Sequence, residues 1–463
     1  MKLNDMRIEQ LAELCEAQLI RGNPEQLVSR IWTDSRTLTE GDCFVALQGP
    51  RFDGHDFVTE AARLGASAAV VSNPTRAMNS PSALALLQVQ DTLTALHKLA
   101  TNYRRLLPPT TRLIAVSGAS GKTTTKEMIA AVLEQRFSVY RTPANQNNHI
   151  GVPMALLQVA RQHDFGVVEL GSNHPGEMRL LVEMVQPAIG VVTNIGLAHV
   201  EHLGDEAGVA HEEGTPLEYL PRNGDGLAVL NADDKWCAEL RSRTRATVIT
   251  IGIDHFADIR ASNIVINGDV KFRLNIAKKR DDVIVRLKTL GRHQIYNALQ
   301  AAAVGYFAGM DLDEIRLGLE SVDFPAMRMQ PVVLNGVRYV NDCYNANVPS
   351  MQAALAMMRE TPAAGRKITV LGDMLELGAW SQIAHEEIGE LAAHSHLDFL
   401  ITVGPAAAWI AGKALATGME DHRVLSVGTA LEAAELLRGL ARPGDLVLLK
   451  GSRKLELEKI LEA

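Results

Sequence analysis

The sequence predicts an α/β protein of three domains, with a mostly parallel central sheet flanked by helices. Its 463 residues leave room for two to four domains at about 100 to 200 residues each. Short apolar runs alternate with helical stretches along most of the chain, as expected of parallel strands covered by helices. A glycine-rich turn also separates one of these strands from the helix that follows it.

Residues 1–109 are predicted to form a small α/β domain. Apolar residues recur with helical spacing from Ile8 onward, and short apolar runs follow. A helical segment over 91–107 ends at Pro108 and Pro109, where the chain loses helix-compatible geometry. The first domain boundary is therefore expected after residue 109.

Residues 110–324 are predicted to form the central domain. Its apolar runs alternate with helical stretches up to residue 258, and the pattern over 259–290 is more typical of antiparallel strands. An alanine-rich helix is expected over 297–309. The expected parallel strands are 113–116, 165–170, 189–193 and 226–230.

Residues 325–463 repeat the strand and helix alternation, which predicts a Rossmann-like α/β domain at the C-terminus. The boundary before it falls at Phe324-Pro325. The expected strands are 338–341, 368–371, 399–403 and 446–449.

Composition excludes several classes of protein. The 46 basic and 54 acidic residues give a net charge of −8, which argues against a surface that binds nucleic acid or an anionic membrane. The four cysteines are far apart, so neither a disulfide framework nor a cysteine zinc site is expected. The charged first ten residues do not resemble a signal peptide, and no 18-residue apolar run predicts a membrane span. We expect a cytoplasmic protein.

The strongest local motif is G-x-x-G-K-T-T, between the strand at 113–116 and a helix predicted over 123–135. Such a loop surrounds phosphate with backbone N–H groups at a helix N-terminus, so the central domain is predicted to be of the P-loop type and to bind a nucleoside triphosphate. The spacing is shorter than the usual G-x-x-x-x-G-K-[ST], because position 116 is Val. Hydrolysis, kinase chemistry and ligation all remain open, and the alternative is a chance glycine turn. The predicted nucleotide contacts are Gly118, Ala119, Ser120, Gly121, Lys122, Thr123 and Thr124.

Two metal candidates follow the loop. Glu169 ends an apolar strand, at the edge where α/β sheets bind ligands, and His199 follows the next strand through a short loop. Mg²⁺ prefers oxygen, so a histidine ligand is unusual. The alternatives are a solvated capping carboxylate and a histidine that makes hydrogen bonds without binding a metal.

Motifs spread over nearly the whole chain resemble those of the Mur ligases of peptidoglycan synthesis, which are ATP-dependent, amide-forming ligases with three domains. Other motifs resemble the branch that adds D-alanyl-D-alanine to a UDP-N-acetylmuramoyl-tripeptide, and the D-N-P-R motif of related branches is absent. The family motifs are at 118–125, 142–148, 169, 194–199, 291–293, 297–298 and 328, and the branch motifs at 34–36, 41–47, 51–56, 342–347, 371–378 and 450–453.

The resemblance implies a reaction through an acyl phosphate and assigns the site residues. Lys122 would neutralise phosphate charge, Thr123 and Glu169 would bind one Mg²⁺, and His199 would bind a second. ATP would also contact Asn297, Arg328 and Asp342. The UDP-linked tripeptide and D-alanyl-D-alanine would be the small-molecule partners of a monomer. Their expected contacts are Ser35, Arg36, Asn145, Asn147, Asn148, Asn345 and Asn347.

The sequence departs from this resemblance at two positions. Glu213 stands where these ligases commonly have a lysine that becomes carbamylated and supports the second metal. Both groups are anions, so one hypothesis is that Glu213 helps to hold the second Mg²⁺ without carbon dioxide, and the alternative is a solvated helix glutamate. Gln294 stands where asparagine is common, and we leave it out of the predicted site.

Three other functions stay open from the sequence. The chain could be the ligase that adds the third amino acid, or a folylpolyglutamate-type synthase, because both share the loop and the three-domain plan. A protein that binds ATP as a signal without ligating anything is the alternative from another class.

Overall fold

The computed structural model describes residues 6–222, 224–277 and 281–462. The chain divides into two compact units. The first contains Met1–Ala115, Phe137–Leu170 and Arg179–Ala188, and the second contains Val116–Arg136, Gly171–Met178 and Ile189–Ala463. The three-domain limits after residues 109 and 324 stay a prediction.

The N-terminal part of the chain forms a sheet in the order β2-β7-β6-β5-β4, and β1 pairs with β3. Strands β4 to β7 run parallel to one another, and β2 is antiparallel to β7. The elements are β1 (Met6–Arg7), α1 (Ile8–Cys15), β2 (Gln18–Arg21), β3 (Leu27–Val28), β4 (Ile31–Trp32), β5 (Cys43–Val45), α2 (Val58–Arg63), β6 (Ala68–Val71), α3 (Pro74–Ala77), β7 (Ala85–Gln88) and α4 (Thr92–Leu106).

Helix α4 illustrates how local sequence sets an element. Asp91 caps its N-terminus by accepting a hydrogen bond from the Thr94 N–H, which satisfies one of the unpaired first-turn donors. Leu96, Leu99 and Tyr103 lie on its buried face. The helix ends before Pro108, as the sequence predicts.

The middle of the chain carries most of the parallel strands. Its elements are β8 (Arg112–Ser117), α5 (Lys122–Leu133), β9 (Val139–Arg141), α6 (Gly151–Leu156), β10 (Phe165–Glu169), α7 (Glu177–Val185), β11 (Ile189–Val192), α8 (Val200–Leu203), α9 (Glu206–Glu213), β12 (Leu227–Asn231), α10 (Cys237–Ser242), β13 (Thr247–Gly252), β14 (Ile259–Ile266), β15 (Val270–Ile276), β16 (Asp282–Leu287), α11 (His293–Phe307) and α12 (Leu312–Glu320).

These strands follow the predicted change from parallel to antiparallel pairing. In the first unit, β10 pairs with β9 in parallel. In the second unit, β11, β12, β13 and β14 are parallel, and β14, β15 and β16 are antiparallel. Every residue of β10 and β11 is buried, as is typical of parallel strands covered on both faces.

The C-terminal part forms a six-stranded sheet in the order β17-β18-β22-β19-β20-β21, in which only the β17–β18 pair is antiparallel. The predicted Rossmann-like alternation is therefore present. The elements are β17 (Gln330–Leu334), β18 (Val337–Asp342), α13 (Val348–Glu360), β19 (Lys367–Gly372), α14 (Ser381–Ala393), β20 (Phe399–Val403), α15 (Ala407–Ala416), β21 (Val424–Val427), α16 (Ala430–Leu440) and β22 (Leu446–Lys450).

No helix in the described ranges combines the length and the apolar character needed to cross a bilayer.

A buried carboxylate joins the starts of β19 and β22. Asp445 accepts hydrogen bonds from the backbone N–H groups of Arg366 (2.8 Å) and Arg442 (2.9 Å), and its Oδ2 lies 2.7 Å from Arg366 Nη2. Burial opposes ionisation of Asp445, but these hydrogen bonds outweigh it and lower the pKa of the carboxyl group. The charged form therefore stabilises the fold.

We predict that Asp445→Asn lowers the free energy of unfolding by about 1.5 to 3 kcal/mol at pH 7, the range for hydrogen bonds to charged groups. Because the folded-state pKa of Asp445 is depressed, this contribution is complete above the unfolded-state pKa and is lost as the pH falls through the folded value. Urea unfolding at pH 7 and in steps down to about pH 2, below the unfolded-state pKa of about 3.9, measures both effects.

The matched control is Glu456→Gln, which removes an exposed ion pair with Lys459 and should leave the free energy of unfolding nearly unchanged. Equal losses in the two variants would contradict the role given to Asp445.

Candidate active site

The glycine-rich loop connects the end of β8 to the start of α5, as the motif predicts. Gly118 has φ of +125° and Gly121 has φ of +81°, in the left-handed region that favours glycine. Space is also limited, because a Cβ at Gly118 would lie 2.1 Å from Thr193 Oγ1, and one at Gly121 would lie 2.8 Å from Asn297 Oδ1. Both glycines are therefore required by conformation and by packing.

Residues at the end of β11 hold this loop in place. Asn194 Oδ1 accepts a hydrogen bond from the Ser120 N–H (3.1 Å), and the Asn194 backbone carbonyl accepts one from the Ala119 N–H (2.9 Å). Thr193 Oγ1 donates to the Ser120 carbonyl at 2.6 Å. The loop is thus supported by a neighbouring strand of the same unit.

Thr123 and Thr124 come directly after the glycine-rich loop and are buried in the first turn of α5.

Glu213 lies beneath the loop and is 1% exposed. Its Oε2 accepts a hydrogen bond from the Gly118 N–H at 2.6 Å, and its Oε1 lies 3.8 Å from Lys122 Nζ. Lys122 Nζ also donates to the Gly118 carbonyl. The alternative that Glu213 is a solvated helix residue is therefore wrong, since its carboxylate faces the predicted phosphate site.

Asn297 of α11 borders the other side of the loop. Its Oδ1 accepts from Thr125 Oγ1 at 3.2 Å, and its Nδ2 donates to Gln294 Oε1 at 2.9 Å. Gln294, which we left out of the predicted site, is buried beside Asn297. The three-residue spacing, which places both side chains on one helix face, was the available signal.

A cavity of about 400 Å³ opens beside this helix, lined in part by Ile195, Asp233 and Tyr296. Burial opposes the ionisation of Asp233, but hydrogen bonds from the N–H groups of residues 253–255 and from His255 lower its pKa to about 2. The Tyr296 hydroxyl donates to the same carboxylate at 2.9 Å. Asp233 therefore fixes one wall of the cavity and is a residue that the sequence analysis missed.

His199 precedes α8 and has φ of +55°. Its Nδ1 lies 2.5 Å from Oε2 of Glu376, which belongs to the loop after β19. The hydrogen bond from His199 lowers the pKa of Glu376. The pairing of this carboxylate with His199 was not predicted, because the two residues are 177 positions apart in the sequence.

Arg328 and Asp342 do not pair with each other. Asp342 Oδ2 accepts from Lys450 Nζ at 2.6 Å, and its Oδ1 accepts from the Met329 N–H at 3.1 Å. The Arg328 guanidinium lies over the Tyr344 ring, 4.1 Å from its centroid.

The two asparagines after β18 have structural contacts. Asn345 Oδ1 accepts a hydrogen bond from the Ala346 N–H at 2.8 Å. Asn347 caps α13 by accepting from the Ser350 N–H, and its Nδ2 donates to the Ala119 carbonyl at 2.9 Å. Asn347 thus ties the C-terminal part of the chain to the glycine-rich loop. Substrate binding by either residue stays a prediction.

In the first unit, the structure brings Glu169 and Asn147 together. Glu169 ends β10 and is 1% exposed, and its Oε1 accepts from Asn147 Nδ2 at 2.9 Å. Asn148 instead accepts a hydrogen bond at 2.8 Å from the N–H of Gly151, the first residue of α6. Asn145 is exposed on the preceding turn. The predicted carboxylate therefore lies at a strand end, as expected.

Ser35 and Arg36 lie in a short 3₁₀ turn of the first unit. Asp34 accepts a hydrogen bond from the Arg36 N–H at 3.0 Å and pairs with its guanidinium at 2.7 Å. The hydrogen bond from Asp34 raises the pKa of Arg36. Arg36 is thus a charged, exposed side chain in a defined orientation.

The donor chemistry fits Mg²⁺ bound together with a nucleotide. In the part of the chain that the structure describes, no three His, Cys, Asp or Glu side chains converge on a metal position. A protein usually binds Mg²⁺ in such sites through one or two oxygen ligands, and phosphate and water supply the rest. Thr123 and Glu169 offer oxygens of this kind, and His199 Nε2 has no hydrogen-bond partner among the described residues.

Comparison with known families accounts for almost the whole chain. Residues 27–104 match the Mur ligase family catalytic domain, residues 116–305 the Mur ligase middle domain, and residues 327–453 the glutamate ligase domain of Mur ligases.

Full-length relatives agree with this result. The chain is 36% identical to the UDP-N-acetylmuramoyl-tripeptide--D-alanyl-D-alanine ligase of Escherichia coli, over 98% of this chain and 97% of that protein. It is 33% identical to the ligase of the same name from Bacillus subtilis, with the same coverage. A MurF crystal structure from Acinetobacter baumannii superposes with a TM-score of 0.87 at 30% identity, covering 98% of each chain. A MurF structure from Thermotoga maritima in complex with ADP gives 0.80 at 28% identity, covering 94% of this chain and 96% of that one. The chain belongs to the Mur ligase family.

Proposed function

We propose that this chain joins D-alanyl-D-alanine to UDP-N-acetylmuramoyl-tripeptide with the hydrolysis of ATP, in peptidoglycan synthesis. The observation that carries the proposal is the full-length similarity to ligases with this activity in their names, at 32 to 36% identity. The glycine-rich loop and Lys122 supply the phosphate-binding chemistry that such a ligase needs. A cytoplasmic location and a monomeric state are part of the proposal.

The reaction has two chemical steps. An oxygen of the tripeptide's terminal carboxylate attacks the γ-phosphorus of ATP, and the bond to the bridging oxygen of ADP breaks, which gives an acyl phosphate. The amine of D-alanyl-D-alanine then attacks the acyl carbon, and the tetrahedral intermediate expels phosphate while the amine loses a proton. Two anions must approach each other in the first step, so the site has to supply positive charge.

Lys122 and the N-terminus of α5 would supply that charge. The backbone N–H groups of the first turn and the helix dipole favour phosphate, and the Lys122 ammonium lies at the same end of α5. In the structure this ammonium faces the Gly118 carbonyl and Glu213. We propose that it turns from these oxygens to the phosphates of ATP.

Thr123 and Glu169 would hold one Mg²⁺, and His199 would hold a second with Glu213 nearby. Bound Mg²⁺ would neutralise phosphate charge. Glu213 already stabilises the loop through the Gly118 N–H, so its contact with the metal would pass through water. The carboxylate would thus take the place of a lysine carbamate.

The remaining predicted contacts belong to substrate recognition. Ser35 and Arg36 would bind the uridine diphosphate, and Asn145, Asn147 and Asn148 would orient the tripeptide. Asn297 would contact the adenine, while Arg328 and Asp342 would reach phosphate and ribose. Asn345 and Asn347 would lie near D-alanyl-D-alanine. The C-terminal part would exclude water that could hydrolyse the acyl phosphate.

A panel of amines tests the proposed reaction. With the UDP-linked tripeptide and ATP present, we expect D-alanyl-D-alanine to stimulate phosphate release, because only this amine completes the reaction. Glutamate, lysine and diaminopimelate should leave the rate at background. Stimulation by an amino acid in place of the dipeptide would favour one of the other ligases, and no stimulation by any amine would favour a protein that only binds ATP.

Lys122→Ala tests the phosphate site. Charge-assisted contacts are worth about 1.5 to 3 kcal/mol, so the dissociation constant for ATP should rise by roughly 10- to 150-fold. Isothermal titration calorimetry measures it, with the exposed Lys459→Ala as the matched control. Unchanged ATP affinity in Lys122→Ala would contradict the proposal that the glycine-rich loop binds the phosphates of ATP.

Glu213→Gln tests the anion beside the loop. The variant keeps the shape of the side chain and removes its charge, so we expect half-maximal activity to require at least about 10-fold more Mg²⁺, the lower end of the range for loss of a supporting partner of a metal. The matched control is Glu212→Gln, because the Glu212 carboxylate is also buried but accepts hydrogen bonds from Ser172 and Met178. An unchanged Mg²⁺ requirement in Glu213→Gln would rule out the metal role.

A further inference from the structure

The loop after β19 contacts α8 in the second unit through residues 376–380. The Glu201 N–H donates to the Glu376 carbonyl at 3.2 Å, and Trp380 Nε1 donates to the Gly204 carbonyl at 2.9 Å. Gly378 has φ of +51°, and a Cβ there would approach Glu201 to 3.2 Å. The loop is therefore closely docked on the helix that His199 begins.

Both members of the His199–Glu376 pair have an unusual backbone conformation. His199 has φ of +55° and Glu376 has φ of +61°, although residues with a Cβ seldom adopt the left-handed region. Such conformations persist where the surrounding structure imposes them. The docked loop imposes them here and brings the two side chains together.

The Glu376 carboxylate decides which nitrogen of His199 carries the proton. A carboxylate only accepts hydrogen bonds, so the 2.5 Å contact requires a proton on Nδ1. In the neutral ring, Nε2 then has a free lone pair. Among the described residues nothing hydrogen-bonds to Nε2, and the side chain keeps 20% of its surface exposed. The Nε2 atom of His199 is thus available to bind a metal ion.

We propose that Glu376 is a positioning residue that fixes the Nδ1–H tautomer of His199 and directs its Nε2 towards the second metal. Carboxylate partners of this kind orient metal-binding histidines and raise their basicity. Because Glu376 belongs to the C-terminal part of the chain, the second metal position is complete only while the 376–380 loop is docked. The metal itself rests on the proposed function, whereas the tautomer does not.

Nitrogen-15 NMR of histidine-labelled protein tests the tautomer without any metal or nucleotide. The His199 signals are assigned by their loss in His199→Gln. In the wild type these signals should show a protonated Nδ1 and an unprotonated Nε2. Glu376→Ala should shift His199 towards the Nε2–H form, and Glu376→Gln should retain the wild-type pattern because its amide oxygen still accepts from Nδ1. A wild-type His199 protonated on Nε2, or one unchanged in Glu376→Ala, would overturn the proposal.

Binding of Mn²⁺ to the complex with a non-hydrolysable ATP analogue tests whether Glu376 supports the second metal position. Glu376→Ala should weaken the second Mn²⁺ site by roughly 10- to 100-fold, the range for loss of such a partner. Trp380→Phe is the matched control, because it removes the other side-chain hydrogen bond of the loop and leaves Glu376 in place. Equal weakening in both variants would show that loop docking alone matters and would overturn the positioning role.

The two proposals fail in different ways. If His199→Gln keeps both Mn²⁺ sites, the metal assignment in the proposed function is wrong, whatever the tautomer. If His199→Gln loses the second site but Glu376→Ala retains it, the inference about Glu376 is wrong and the metal assignment stands.

Discussion

The glycine-rich loop at residues 118–121 is held from several sides by hydrogen bonds, and the rest of the site is arranged around it. Asn194 supports its backbone, Glu213 accepts from Gly118, and Asn347 reaches Ala119 from the C-terminal part. The two left-handed glycines leave no room for a Cβ. A loop held in this way does not have to be ordered by its ligand, so less binding energy is lost when phosphate arrives.

The C-terminal part of the chain contributes to this arrangement at three separate points. Besides the Asn347 contact, Pro349 packs so closely on Gly196 that a Cβ at this glycine would lie 2.4 Å from its ring. Glu376 contacts His199 at the start of α8. Since an acyl phosphate must be kept from water, these contacts suit a site whose walls come from both parts of the chain.

Much of this protein follows from sequence because the relevant signals are local. The glycines and the apolar strand before them predict the loop, and the end of an apolar run predicts Glu169 at a strand end. Strands β17 and β21 were missed, because these edge strands are only partly buried and lack a clear apolar run. The contacts of Asp342 with Lys450 and of His199 with Glu376 join residues 108 and 177 positions apart. No local pattern records such pairs, so they could be found only from the fold.

Transfer of an oxygen atom tests the central claim most directly. If the tripeptide's terminal carboxylate attacks the γ-phosphorus beside Lys122, one of its oxygens must leave with the phosphate. Tripeptide substrate labelled with oxygen-18 in that carboxylate should therefore give phosphate with one labelled oxygen per turnover, and unlabelled ADP, by mass spectrometry. Unlabelled phosphate released together with the amide product would contradict the acyl phosphate and the role given to the loop.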